Sequence, residues 1–502
     1  MNIATLLRRA AADHAGRVAL RLDDVQISYT DLADRAARFA GHLRASGIGE
    51  GERVAVFAPN CLEYLVTLLG AWQVGAVGVP LNYMFPDAPL RHAMTDAGVR
   101  LVVLPPDDVE RLETVLEGNT PAMLTTGDDF AAALAEAEPF DDVVPRLDGD
   151  DALLMYTSGS TGVPKGVRQT HRNTVAQVEG AIDRYELTGD DHVLNCMPMF
   201  HVGGLQLASL PMLLRGGQIT FMPRWDVVRW LELVQSLRPT YGGLISTMMI
   251  DVGNRTVQSP VTLDSFLVCM FGGSRTPTAA IDRLEKGTGI RGTEIYGQTE
   301  QSGLVVTYGP GEPRRPDSMG RPLSQIVRTR LVPVDGAPDL EPGDPGVGEL
   351  WVHGDAVTPG YWHLEAPEKW AVDDDGRRWF RTGDLMSRDA DGYLYYVDRI
   401  DDMIVSGGEN VFPQMVEEHL ADHPDLAEVA VIGTAHERWV EQVTAVVVPN
   451  RPGVTVEALD QWCATHPDLR GMHRPRRIEI VEALPRTGSG KLNRPELRRI
   501  FP

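Results

Sequence analysis

Cysteine is scarce in this sequence: its 502 residues hold only Cys61, Cys196, Cys269 and Cys463, widely scattered. Such spacing argues against a disulfide framework or a zinc site, and for reduced thiols, isolated in the core, in a cytoplasmic protein. Long apolar runs are missing too, so no membrane span is expected. The first 16 residues carry two arginines but no apolar stretch followed by a small-residue cleavage site, and do not read as a secretory signal. Positive charge is the third shortage. The 47 Lys+Arg stand against 70 Asp+Glu, a net −23, which argues against an extended surface for nucleic acid or an anionic membrane. A polyanionic substrate must then be held by local basic groups and backbone amides.

What is present is an ordinary globular balance, 43% hydrophobic and 23% charged, in a chain long enough for more than one domain. No repeat or low-complexity segment breaks it. After an extended segment 26–29, Thr30 or Asp31 is expected to cap a helix on which Leu32, Ala36, Phe39 and Leu43 recur at helical spacing, until Gly47, Gly49 and Gly51 stop it. A buried strand over 53–58, a helix carrying Leu62, Leu65, Leu69 and Trp72, and a strand over 76–79 continue the alternation of an α/β sheet. Further strands are expected at 101–104, 153–156 and 267–271. From Gly346 the runs GVGELWVHG, GYWHL, RRWFRTGDL and GYLYYVDR are short and aromatic-rich between Gly and Asp turns, which predicts a small β subdomain. Residues 402–502 suffice for a compact α+β domain, with a helix over about 413–421 and a strand at 429–432.

The most informative run is Tyr156-Thr-Ser-Gly-Ser-Thr-Gly-Val-Pro-Lys-Gly-Val167, directly after a strand. Gly159 and Gly162 let the backbone approach an anion, while Thr157, Ser158, Ser160, Thr161 and Lys165 donate to phosphate oxygens. It is built for a polyphosphate, yet it is not a Walker A loop: Val163-Pro164 separates Gly162 from Lys165, and no Ser or Thr follows the lysine.

With this run in place, the whole chain resembles the superfamily of adenylate-forming enzymes, which contains acyl-CoA and aryl-CoA ligases, luciferases and peptide-synthetase adenylation domains. YTSGSTGVPKGV is followed in the family's order by Tyr296-Gly297-Gln298-Thr299-Glu300, Arg381-Thr-Gly-Asp384-Leu, Asp398-Arg-Ile-Asp-Asp402 and Pro485-Arg-Thr-Gly-Ser-Gly-Lys491. The resemblance implies a large N-terminal domain, residues 1–400, of α/β subdomains plus the small β subdomain, and a small mobile α+β domain, residues 401–502. It implies that Tyr296 stacks on adenine, Thr299 contacts the α-phosphate and Glu300 ligates Mg²⁺, a role suited to a hard carboxylate oxygen. Asp384 would accept from both ribose hydroxyls with Arg399 in support, and Gly272, Gly273 and Ser274 would lie along adenine. Lys491 would enter the site as the acid attacks the α-phosphate, where a cation in a water-excluded site lowers the barrier. Asp401 would be the hinge of a later rotation that replaces Lys491 with Gly407 and Gly408, which flank a pantetheine channel.

The resemblance further implies that Trp439 and Arg474 meet the nucleotide of coenzyme A, with Arg476 and Arg477 adding charge. The acyl pocket would draw on Phe200, His201 and Gly203 of the 198–204 run, on Met248, on Gly273, and on Ser302 and Gly303, an apolar and adaptable cavity suited to an aryl or medium-length acid. His201 is read as positioning the substrate. Many relatives have a proline after the pocket strand; this chain reads Ile245-Ser246-Thr247. The chain end at Pro502 favours a free small acceptor. The expected reaction is therefore ATP-dependent formation of acyl-AMP and transfer to coenzyme A; the alternative is an amide-forming synthetase in which an amine captures the same intermediate. The expected partners are small molecules, with a homodimer as the assembly.

Overall fold

The structure, a computed structural model, describes residues 2–502 apart from 159–162, 258, 273–277, 335–339, 341–343, 408 and 487–491. It divides into a larger unit, residues 1–328 with 352–380, and a smaller one, residues 329–351 with 381–502. The expected sheet-and-helix alternation is present, in a mixed α/β architecture.

One sheet of the larger unit has the order Ala122–Thr125, Val99–Leu104, Arg53–Val56, Val77–Pro80, Asp151–Ser158, Pro164–Thr170. Its neighbours run parallel until the last pair, an antiparallel hairpin. Val77–Pro80 is buried throughout, as parallel strands covered on both faces must be. The apolar residues of the helix Asp87–Ala97, Leu90, Ala93 and Met94, pack with Val79, Val102, Leu104 and Leu154 of this sheet. The second sheet carries a parallel run whose members include Val268–Gly272 and Gly292–Tyr296. Trp230, Met248, Met249, Val252 and Phe271 form the core on this sheet.

The helix after the first hairpin is capped two residues before Thr30 and three before Asp31, the caps expected from the sequence. Ser28 is the cap of Tyr29–Ala45: its Oγ accepts from the amide of Asp31 at 3.1 Å, and the Asp31 carboxylate accepts from the amide of Ser28 at 3.2 Å. Asp31 is thus the reciprocal partner three residues on, and Ser28 holds the extended backbone that a cap needs.

In the smaller unit, Arg378–Arg388 pairs antiparallel with Leu394–Arg399 along its part beyond residue 380. A five-stranded sheet follows, built on the long hairpin Leu426–His436 and Val440–Pro449. The helix Pro413–Ala421 falls where proline at its first position predicts. Its Val416 and Leu420 pack with Val431, Val443 and Ala445, and with Leu459 and Cys463 of the helix Val456–Thr465, in the core of this unit. All four cysteines are free, and no helix among the described residues is long and apolar enough to cross a membrane.

Candidate active site

In the larger unit the hairpin Asp151–Ser158/Pro164–Thr170 sets Thr157 opposite Lys165 and Ser158 opposite Pro164. Gly159, Ser160, Thr161 and Gly162 between them lie outside the described residues. The segment at Tyr361 closes onto this hairpin: Tyr361 bridges to Val167, and the amide of Trp362 donates to the carbonyl of Gly166 at 2.7 Å. A Cβ on Gly166 would meet Leu154, Tyr156 and Trp362 at 3.0–3.2 Å, so this close approach favours glycine. The Tyr361 hydroxyl donates to Glu300 Oε1 at 2.8 Å, and Lys165 Nζ lies 5.7 Å from the centre of the same ring. One phenol therefore stands between Lys165 and the Glu300 carboxylate. The sequence reading passed over Tyr361 and took GYWHL only as strand; an aromatic between Gly360 and Trp362 was the available signal.

Tyr296 ends the strand Gly292–Tyr296, buried to 9% exposure. Gly297 follows where a Cβ would stand 2.3 Å from the carbonyl oxygen of Gly303, so no other residue fits there without backbone movement. Gln298 then caps a short turn, Thr299–Gln301, and exchanges hydrogen bonds with Gln301. Ser302 (φ 57°) and Gly303 (φ 115°) turn the chain back in left-handed geometry, which glycine adopts readily.

Beneath this turn lies a buried amide network that sequence reading did not find. Gln169 Nε2 donates to the carbonyl of Thr299 at 2.8 Å, Gln206 donates to Gln169 Oε1, and the amide of Leu304 donates to Gln177 Oε1 at 3.2 Å. From above, the amide of Thr358 donates to the Glu300 carbonyl at 2.8 Å. The backbone of Thr299 and Glu300 is thus held from two sides. Replacing Gln169 with leucine keeps the volume but leaves the Thr299 carbonyl and the Gln206 amide without this partner in a dry interior. We expect a loss of about 1–3 kcal/mol of stability, measured by urea unfolding at unchanged m-value.

The expected acyl residues come together in part. Phe200 and His201 lie ring to ring at 4.5 Å, and Phe200 meets Tyr83 edge-on at 5.5 Å. Gly203 opens a π-helical segment, Gly203–Ser209, a local irregularity that is frequent at functional sites. A Cβ on Gly303 would lie 3.0 Å from Val202, so the runs at 198–204 and 302–303 are neighbours. Ser302 itself is buried and its hydroxyl donates to the carbonyl of Ala356 at 2.9 Å. Met248 is buried at 6% exposure on the helix Ser246–Thr256. Met197, which the sequence reading did not single out, lies against Gly203, and its side chain is 2.6–2.8 Å from a Cβ built on Gly243. Gly272 ends its strand where a Cβ would be 2.3 Å from Ile295. Gly273 and Ser274 lie outside the described residues.

In the smaller unit Asp384 stands opposite Arg399 across the ladder, with Arg399 Nε 3.1 Å from Asp384 Oδ1. The Asp384 side chain is 3% exposed, its partner 39%. Next to it Asp398 accepts from the amides of Gln414 at 2.8 Å and Arg399 at 2.7 Å. Burial pushes the Asp398 carboxyl up to about 6, against the opposing pull of those donors and of Arg494. Asp401 is exposed in the turn Ile400–Asp402. Its neighbour Asp402 accepts from Arg498 at 3.0 Å and lies 3.7 Å from Arg494, two arginines of the helix Arg494–Ile500. Lys491, shortly before that helix, lies outside the described residues, as does Gly408.

Gly407 (φ 60°) donates its amide to the carbonyl of Trp439 at 3.0 Å, and a Cβ there would be 2.8 Å from Met472. His436 stacks on Trp439 at 4.2 Å and 16°. Two arginines lie over Trp439, Arg476 at 5.4 Å and Arg438 at 6.0 Å from the ring centre, whereas Arg474 donates to Asp460 at 2.7 Å.

A phosphate-type hairpin joined through Tyr361 to Glu300, together with a separate Asp384–Arg399 pair suited to a ribose, defines a nucleotide-using enzyme of the adenylating class. Residues 7–362 match the family of AMP-binding enzymes, and residues 415–491 match the AMP-binding enzyme C-terminal domain; the chain belongs to this family. It is 36% identical over 503 residues to a feruloyl-CoA synthase of Amycolatopsis sp, covering 99% of this chain and 98% of that one. Among solved structures it is similar to ATP-bound MatB of Rhodopseudomonas palustris, with TM-score 0.90 and 28% identity over 100% and 99% of the two chains. The o-succinylbenzoate CoA synthetase of Bacillus subtilis, in complex with its acyl-adenylate intermediate, has TM-score 0.86 and 26% identity over 98% and 97%.

Proposed function

We propose that this chain activates an aryl or medium-length carboxylic acid, holds Mg²⁺ at Glu300 and passes the acyl group to coenzyme A. In class it is an AMP-forming acid–thiol ligase: a carboxylic acid becomes acyl-AMP, and a thioester follows. The observation that carries the reading of the site is the Glu300 carboxylate anchored by Tyr361, whose ring also lies near Lys165.

In the first half-reaction a carboxylate oxygen attacks the α-phosphorus, the P–O bond to the β-phosphate breaks and pyrophosphate leaves. Lys165 and the loop hydroxyls bind the phosphates, Thr299 donates to the α-phosphate, and Lys491 offsets the charge gathering between acid and phosphate. Glu300 fits Mg²⁺ because it is a half-buried oxygen donor, and one of its oxygens is already oriented by a hydrogen bond. When bound, the ion neutralises phosphate charge. Asp384 accepts from the ribose hydroxyls, and Tyr296 stacks on adenine. In the second half-reaction the thiolate of coenzyme A attacks the acyl carbonyl and AMP departs with the bonding electrons. The division of labour follows residues 1–400 and 401–502, with Asp401 as hinge and Gly407 and Gly408 beside the entering thiol. Phe200, His201, Gly203, Met248, Gly273, Ser302 and Gly303 shape the acyl site. Four free thiols support a cytoplasmic location, and a homodimer completes the reading, to be checked by light scattering.

The test is a screen of carboxylic acids for ATP-dependent pyrophosphate release, followed by mass analysis of products formed with coenzyme A and with amines. A thioester from an aryl acid supports the reading; amide without thioester would assign the chain to the amide-forming synthetases. Trp439→Ala and Arg474→Ala are each expected to raise KM for coenzyme A roughly 5- to 30-fold, about 1–2 kcal/mol. Pyrophosphate release driven by acid and ATP alone should be spared in both. Arg476→Ala serves as the comparison, because this arginine lies over the Trp439 ring.

A further inference from the structure

We propose that the smaller unit carries a binding site for a borderline divalent transition cation, of the Zn²⁺ or Ni²⁺ type, formed by His419, Asp422 and His466. Their ligand atoms all lie within 4.8 Å of one another. Two imidazoles and one carboxylate are the donor set that such cations prefer; Mg²⁺ and Ca²⁺ favour oxygen ligands throughout.

A second feature supports a cation here. His419 sits in the last turn of the helix Pro413–Ala421 and Asp422 is its C-terminal cap. His466 is the C-terminal cap of the helix Val456–Thr465. Two helix C-termini therefore converge, each ending in carbonyls with partial negative charge, which favours a positive ion. The His419 and His466 rings are 5.3 Å apart, and Trp462 packs 4.8 Å from His466 and 5.0 Å from His423, giving the cluster a firm apolar wall.

Closing the site takes modest movement. Ligands about 2.0–2.2 Å from a tetrahedral ion stand roughly 3.3–3.5 Å apart, so side chains must draw in by about 1–1.5 Å. Asp422 is exposed and both histidines are half-exposed, which leaves their torsions free to do so. His466 Nδ1 accepts from the amide of Asp468 at 3.3 Å. Ligation through either ring nitrogen costs that long and therefore weak bond. The remaining coordination positions go to water, so the ion exchanges readily. The cluster sits at the C-terminal end of the helix Pro413–Ala421, whose other end donates the Gln414 amide to Asp398. Because the ion binds the folded unit, it stabilises it.

The test uses full-length, metal-stripped protein dialysed to equilibrium against Ni²⁺ or Zn²⁺ alone, with bound metal measured directly and thermal midpoints recorded. The expected result is one ion per chain and a raised midpoint. His419→Ala and His466→Ala should each weaken binding by at least about 10–100-fold, the loss that follows removal of even an outer-shell partner. His363→Ala, in the larger unit, should bind like the parent. Far-UV circular dichroism checks that the half-exposed replacements leave the fold intact. Absence of bound metal in the parent, unchanged binding in both histidine variants, or equal competition by Mg²⁺ would each overturn the proposal.

Discussion

Lys491→Ala is expected to lower ATP-dependent pyrophosphate release by roughly 10²–10³-fold, while transfer from a supplied acyl-adenylate to coenzyme A stays near the parent rate. The asymmetry follows from where charge develops. When the carboxylate attacks the α-phosphate, negative charge accumulates on oxygens of both groups at once, and a cation bridging them acts on the transition state more than on the bound substrates. In the second half-reaction the thiolate adds to the acyl carbonyl, charge passes onto the acyl oxygen and then onto departing AMP, and no acid–phosphate bond is being formed for a cation to bridge. Isolated half-reactions, each followed by mass analysis of product, separate the two. Adenylation at the parent rate would remove Lys491 from the mechanism, and equal loss in both halves would mean the substitution damaged the unit as a whole.

Asp401→Pro is expected to let one equivalent of acyl-AMP form and then stall. Proline locks φ near −65° and removes a donor, so the change falls on freedom of motion at the proposed hinge. The turn Ile400–Asp402 belongs to a class whose φ lies close to that value, and proline is therefore compatible with the turn's own φ. The steric cost falls on Ile400, because the residue before proline is pushed towards extended geometry; the thermal midpoint is measured alongside for that reason. Rapid quench should record a burst of pyrophosphate equal to the enzyme concentration, then negligible thioester turnover. If both half-reactions slow together, Asp401 is a linker residue and the rotation loses its local support. The arrangement around it makes the position informative: Asp398 holds the amide of Gln414 on one side of the turn, and Asp402 meets Arg494 and Arg498 on the other. Movement about residue 401 must work against the Asp398–Gln414 bond, which crosses the turn, whereas Asp402 and its two arginines lie on the same side of residue 401 and move together.

Much of the fold was legible because its signals are local. The helical period of Leu32, Ala36, Phe39 and Leu43 marks the helix Tyr29–Ala45, and the proline at 413 marks the start of Pro413–Ala421. Boundaries were less so: the strand expected at 429–432 runs as Leu426–His436, because a long antiparallel partner, Val440–Pro449, extends the pairing beyond the apolar stretch. The resemblance sets Trp439 and Arg474 against the coenzyme A nucleotide, but it does not announce their protein neighbours: Arg476 and Arg438 lie over the Trp439 ring, and Arg474 pairs with Asp460.

The sequence by itself marked out the glycine- and hydroxyl-rich run behind a strand, because backbone reach and residue type over a few positions are expressed directly in spacing. The YGQTE turn, Asp384 and Arg399, and the lysine in PRTGSGK were picked out by their resemblance to the family's motifs. Only the tertiary structure decided that Tyr361 holds Glu300 across 61 residues and that Gln169 holds the Thr299 carbonyl across 130. No local pattern specifies such pairs. They arise because a buried polar group must find a partner among whatever side chains packing brings within hydrogen-bond distance, and that set exists only after the sheets and helices have closed on one another.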